Sequence, residues 1–164
     1  MDRRTLAFLG VGLVAVAGLL ALLLTATKGA HLRLEGKVLK VRTLPQSGGT
    51  LVFLDVRLTN PSDVPLVVDS VKLTVIASKG DEYEGSTLTK TDVNNVFQYA
   101  RQLGPKYNEL LGAQDRIGPH QSLDRMVGAR VEMSENGIES RKDIRVSVGD
   151  IDGAVAEVAE RPGR

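Results

Sequence analysis

The stretch from Leu6 to Leu24, LAFLGVGLVAVAGLLALLL, contains no charge and no strongly polar side chain. At 1.5 Å per residue a helix of this length spans about 28 Å, close to the roughly 30 Å hydrocarbon core of a bilayer. In lipid the backbone N–H and C=O groups must bond within the segment, so a run that enters a membrane there is a helix. Thr5, Thr25, Ala26 and Thr27 extend it, which predicts a transmembrane helix over 5–27. Arg3 and Arg4 stand before it, and Lys28 and Arg33 follow more sparsely. The positive-inside rule then leaves 1–4 in the cytoplasm and puts the rest on the periplasmic or extracellular side of the cell membrane, in a single pass. The rival reading is a cleaved signal peptide, whose apolar region would be about 7–15 residues with a small-x-small cleavage site. Thr25-Ala26-Thr27-Lys28 is a poor site of that kind, and both readings export the remainder.

The exported part, 28–153, is long enough to bury roughly two-thirds of its unfolded surface without disulfides or metal. The chain has no Cys, which excludes thiol catalysis, Cys-ligated zinc, iron–sulfur clusters and a lipid-modified N-terminal Cys. With Asp2, Arg3 and Arg4 set aside, 19 basic and 19 acidic residues remain. Such a neutral domain has no field to concentrate nucleic acid, and with 4% aromatics and no Trp it offers few stacking platforms. No nucleic-acid partner is expected.

Period-two alternation dominates this part. Val52, Leu54, Val56 and Leu58 share one face of a strand over Thr50–Thr59, with Leu51, Phe53, Asp55, Arg57 and Thr59 on the other. Before it, Leu32 and Leu34 alternate with polar neighbours, and the phase slips between Val38 and Val41, which predicts a bulge near Gly36–Leu39. Pro45–Gly49, Asn60–Asp63 and Lys79–Asp81 are turns. Further strands are expected within Val64–Ser78, with Val71, Leu73, Val75 and Ala77 inside, and over Glu82–Ser86. Two more run over Ser122–Met133 and Arg141–Gly149, with Asn136-Gly137 as a hairpin turn. Between Asp92 and Leu111 the spacing becomes helical through Val93, Val96, Phe97, Ala100, Leu103, Tyr107, Leu110 and Leu111. Thr91 or Asp92 caps the start, and Gly104-Pro105 splits the run into two short helices. Residues 154–164 carry weak signals and are expected as a frayed helix or flexible tail. The fold class is therefore mainly β: an immunoglobulin-like antiparallel β-sandwich with a helical insertion at 92–111.

The stretch Leu54–Val75, with its strand, Asn60-Pro61 turn, small apolar hook and second strand, resembles late-embryogenesis-abundant type 2 (water-stress) domains. It is also similar to bacterial exported immunoglobulin-like domains of unknown function. Ile117-Gly-Pro-His-Gln-Ser-Leu123 is similar to the Pro-Gly turn those domains carry before a late strand, with Pro119-His120 in place of Pro-Gly. The resemblance covers about half the exported part and implies the sandwich. It implies no activity, since fold does not fix function, and it leaves the Asp92–Leu111 segment outside the pattern.

His120, Ser122 and Asp124 include the residue types of a hydrolytic triad, but nothing signals a strained nucleophile or an oxyanion hole, and adjacent turn residues account for them better. Asp150 and Asp152 suggest a calcium loop that lacks its further ligands. Arg130, Arg141, Lys142 and Arg145 form a basic group interspersed with Glu132, Glu135 and Glu139. No metal or cofactor is expected, and no enzymatic activity. The candidate partner-binding residues are Phe97, Tyr99 and Tyr107, three of the six aromatics, because such side chains are favoured at recognition surfaces. The expected function is non-catalytic: binding an envelope protein or supporting an envelope complex. The alternative is a structural or stress-protective module of water-stress type without a dedicated partner.

Overall fold

The computed structural model describes residues 34–160. The expected cytoplasmic N-terminus (1–4), the membrane segment (5–27), residues 28–33 and the last residues, 161–164, lie outside the described residues. Among the described residues no helix is long and apolar enough to cross a membrane.

The described residues form eight strands: β1 Glu35–Gln46, β2 Gly49–Thr59, β3 Leu66–Ile76, β4 Glu82–Thr87, β5 Arg116–Ile117, β6 Ser122–Val131, β7 Asp143–Asp150 and β8 Val155–Ala159. Helix α1 covers Lys90–Tyr99, a 3-10 turn follows at Arg101–Leu103, and α2 covers Glu135–Glu139. The strands pair in the order β1-β2-β6-β4-β3-β7-β8, all antiparallel, with β5 on β3. The expected two facing layers are thus one curled sheet, continuous through β4. That strand pairs β3 through Glu82–Gly85 and β6 through Ser86 and Thr87. Gly85 sits at the change of partner, where an added Cβ would lie 2.9 Å from that of Ala129. A side chain there would hold the two layers apart.

Alternation decides what lies between the layers. Val52, Leu54, Val56 and Leu58 of β2 meet Leu73 and Val75 of β3, Val127, Ala129 and Val131 of β6, and Ile144, Val146 and Val148 of β7, all buried. The expected bulge in β1 is present as a register shift between Val38 and Lys40. Asn60 closes the turn after β2. Its amide donates to the carbonyls of Val64 (2.8 Å), Ile117 (3.2 Å) and Gly118 (3.2 Å), and its Oδ1 accepts from the Ser62 N–H (3.0 Å).

Four expectations need correction. Residues 155–159 are strand β8 rather than a frayed helix, because Ala156 and Val158 close the edge of the core beside β7. Asn136-Gly137 lies inside α2 rather than in a hairpin turn, since the Ser134 hydroxyl accepts from the Gly137 N–H and starts a helical turn that buries Ile138. The cap of α1 is Thr89 rather than Thr91 or Asp92, and Asp92 completes a reciprocal capping box with it. No second helix follows Gly104-Pro105, because the chain after Pro105 turns to extended pairing with β6.

Candidate functional site

The outer face of β1, β2 and β6 is not left to solvent. Leu44, Leu51, Phe53 and Met126 form a second apolar layer there with Val93 of α1 and Leu103 of the 3-10 turn. The insertion therefore covers a sheet face rather than an open end of the sandwich. Its return strand ties it down: the Met126 N–H donates to the Glu109 carbonyl (2.8 Å) and the Leu111 N–H to the Met126 carbonyl (2.7 Å). Further along, the Gln114 N–H donates to the Val68 carbonyl (2.7 Å), so residues 109–117 bridge β6 and β3 where β4 reaches neither.

A buried ion pair lies under this cover. Arg42 Nη2 donates to Asp55 Oδ2 at 2.7 Å, and each side chain is 5% exposed. Arg42 Nη1 donates to the carbonyls of Leu103 (3.2 Å) and Pro105 (2.9 Å), and its guanidinium stands 4.8 Å from the Phe97 ring centroid. Asp55 Oδ1 accepts from the Asn108 amide at 2.9 Å. Hydrogen bonds and a π face offset the desolvation of both charges, and the pair clamps the 103–108 segment onto the sheet. Neither residue was singled out from the sequence. The signal was available, since Leu51 and Phe53 on the face opposite the main core mark that second face as covered, and Asp55 continues it.

The three candidate aromatics separate. Phe97 is half-buried, edge-on to Phe53 with ring centroids 5.1 Å apart, so it belongs to the second layer. Tyr99 is 80% exposed and Tyr107 67% exposed. Tyr107 lies beside the clamp, with Lys40 Nζ 5.7 Å and the Arg42 guanidinium 6.0 Å from its ring centroid. Tyr99 rims an open groove of about 470 Å³ between α1 and the β1–β2 turn, lined by Leu44, Pro45, Val96 and Gln102 among others. On the same segment as Tyr107, hydrogen bonds and charge from Lys106, and then Lys90, hold the Glu109 carboxyl below its ordinary range. The surface offers amphipathic rings with mixed charge, which suits a polypeptide partner.

The other constellations are not assembled. His120 Nε2 lies 2.9 Å from Asp63 Oδ1, the hydroxyl of Ser122 bonds that of Thr59 (2.7 Å), and Asp124 takes two bonds from Arg57 (2.7 and 2.9 Å). Those bonds hold the Asp124 carboxyl below its usual range. Asp150 Oδ1 accepts from the Val67 N–H at 2.9 Å and serves the β7–β8 turn. No group of three or more metal-ligating side chains converges among the described residues. Within the basic group, Arg141 pairs with Glu160 and Arg145 with Glu82 and Asp143.

No family model matches the chain, and no curated protein matches it. Among solved structures, it is similar to a Bordetella pertussis protein described as ApaA, at 16% identity and TM-score 0.37, over 80% of this chain and 90% of that one. It is also similar to an uncharacterized β-sandwich protein of Clostridium difficile 630, at 14% identity and TM-score 0.33, over 80% and 82%. Both likenesses are distant, and no functional property passes from them to this chain.

Proposed function

We propose that this protein is a membrane-anchored, non-catalytic module whose immunoglobulin-like β domain stands on the periplasmic or extracellular side and binds an envelope protein through the surface carrying Tyr99 and Tyr107. The observation that carries the reading is the pairing of exposure with rigidity. Two solvent-facing tyrosines ride on an insertion fixed to the sheet by the buried Arg42–Asp55 pair. Rigid aromatic anchors lose little conformational entropy on binding, which is why such rings recur at recognition surfaces. The uncharged run at Leu6–Leu24 supports the anchor, and a tether raises the effective concentration of the domain for neighbours in the same membrane. The separate partners of His120, Ser122 and Asp124 support a non-catalytic role.

The test is photo-cross-linking in cells from positions 99 and 107, with position 79, in the β3–β4 turn, as the comparison. A discrete membrane-side product at 99 and 107 but not at 79 is expected. Abundant bystanders alone, recovered equally from all three positions, would favour the stress-protective module without a dedicated partner.

A further inference from the structure

The two ends of the β domain differ in the surface they offer. At one end lie the β1–β2 turn at Ser47-Gly48, the β3–β4 turn around Lys79 and helix α2. Their exposed side chains are polar, with Lys79, Asp81, Glu132 and Glu139 among them. At the other end lie the 60–65 turn, the 118–121 turn and the β7–β8 turn. That end carries Val64, Ile151 and Val155, exposed by 59%, 68% and 65%.

Backbone bonding places these three positions on adjoining turns and strand ends of the same end of the domain. The Ile151 N–H donates to the Val67 carbonyl at 3.0 Å, and the Val67 N–H donates to Asp150 Oδ1 at 2.9 Å. The β7–β8 turn is therefore pinned beside the segment that Val64 opens. Val155 follows that turn, paired with Gly149. Asn60 holds the Val64 carbonyl at 2.8 Å and joins this turn to residues 117–118.

The chain enters the domain at the same end. Glu35 pairs with Thr59, the residue before Asn60, and Thr59 pairs with Ser122. Residues 28–33 alone separate Leu34 from the expected membrane segment, 5–27. Fully extended, a connection of that length reaches about 20 Å. The polar layer on each side of the hydrocarbon core is itself roughly 6 Å deep. In an anchored chain the point of entry into the domain, on the end that carries Val64, Ile151 and Val155, is therefore never more than about 20 Å from the edge of the hydrocarbon core.

We propose that Val64, Ile151 and Val155 insert into the headgroup region of the anchoring membrane and fix the standing orientation of the domain. This rests on the anchored reading above and adds a contact to it. The charges at this end, Glu35, Asp63 and Asp152 with Arg116, form no basic patch for anionic headgroups, so the surface they meet is a zwitterionic one. Apolar side chains at the tips of turns, flanked by polar neighbours, suit that boundary, and the tether makes a weak contact sufficient. In this orientation Tyr99 and Tyr107, on a sheet face rather than an end, remain free for a partner alongside.

The absence of Cys from the chain makes the test clean. Full-length protein carrying Val64→Cys, Ile151→Cys or Lys79→Cys is labelled with an environment-sensitive fluorophore and reconstituted into phosphatidylcholine vesicles. Some vesicles contain lipid with a nitroxide at the headgroup or shallow acyl position. Co-flotation with the vesicles is measured on the same samples. The expected result is co-flotation for all three, with blue-shifted, nitroxide-quenched emission at 64 and 151 and water-like, unquenched emission at 79. Co-flotation with water-like emission at all three positions overturns the insertion and leaves the anchor standing. Failure to float overturns both.

Discussion

Replacing the buried pair one member at a time and then together tests whether Arg42 and Asp55 act as one unit. Asp55→Leu leaves the guanidinium without its carboxylate. The Leu103 and Pro105 carbonyls and the Phe97 ring still face it, so the loss belongs near the lower end of the range for a broken buried pair, about 3 kcal/mol. Arg42→Met leaves Asp55 with the Asn108 amide alone and releases the clamp on Leu103 and Pro105, which puts the loss nearer 4–5 kcal/mol. The double variant buries no charge, its two apolar side chains extend the Leu51–Phe53 layer, the part-buried Pro105 carbonyl meets water, and the buried Leu103 carbonyl loses its partner. Its loss is about 1–2 kcal/mol, against a sum of about 7–8 kcal/mol for the two single variants, so the coupling between the sites is about 5–7 kcal/mol. Urea unfolding of the full-length protein, followed by circular dichroism, reads this directly. At an ordinary urea dependence each single variant shifts the midpoint by about 1–3 M. Additive losses in the double variant, or single losses below about 1 kcal/mol, would refute the view that the pair is desolvated and mutually dependent.

Four further outcomes follow from the geometry. Thr89→Ala removes one half of the capping box of α1 and costs about 1 kcal/mol, read as a lower urea midpoint. Hydrogen bonds from the Thr89 hydroxyl and N–H hold the Asp92 carboxyl below its ordinary value. Its contribution is therefore complete above the usual aspartate range and lost as pH falls through the lowered folded value. The difference in Tm between the protein and Asp92→Asn should be constant near neutrality and shrink below about pH 4. Asn60→Ala removes the amide that joins the 60–65 turn to residues 117–118, while the Val64 and Gly118 carbonyls keep bonds from the Ser62 hydroxyl and the Gln121 N–H; it should cost about 1–2 kcal/mol, against a change within about 0.5 kcal/mol for Tyr99→Ala. Gly85→Val forces a branched side chain against Ala129 and should cost about 1–3 kcal/mol, where Gly80→Ala meets no neighbour and acts only through its positive φ.

The parts of this fold that were legible in the sequence are those where local pattern and burial agree. β2 reads as a strand because Val52, Leu54, Val56 and Leu58 repeat at the sheet period, and the bulge in β1 is visible as a phase slip between Val38 and Val41. What was not legible depends on distant partners. The stretch Val155–Ala159 is too short and too rich in Ala and Glu to declare a strand, and it becomes one because β7 offers an edge and the core needs Val158. Asn136-Gly137 has hairpin chemistry, yet Ser134 two residues earlier supplies a cap and Ile138 a burial site, and the pair favours a helical turn. The Pro119-His120 turn shows the reverse case. Pro119 fixes the entry to a turn that the sequence marked, and His120 after it adopts φ 54°, in the left-handed region that turn chemistry requires there.

The candidate surface was half legible for the same reason. Helical spacing located the insertion, and aromatic content picked Phe97, Tyr99 and Tyr107, but spacing alone does not tell a buried ring from a displayed one. Phe53 decides it: β2 presents Phe53 on the face opposite the main core, and Phe97 packs edge-on against it, while Tyr99, two residues on, turns outward. The same logic joins stability to recognition. Tyr107 stands beside Arg42, and Arg42 holds the backbone at Leu103 and Pro105 on the approach to Tyr107. Loosening the clamp therefore leaves the ring in place chemically and frees it conformationally. If the surface binds as proposed, the Arg42→Met/Asp55→Leu protein should retain its fold yet cross-link less from position 107 than from position 99, which α1 positions independently. Equal retention at both positions would mean that the clamp serves the fold alone.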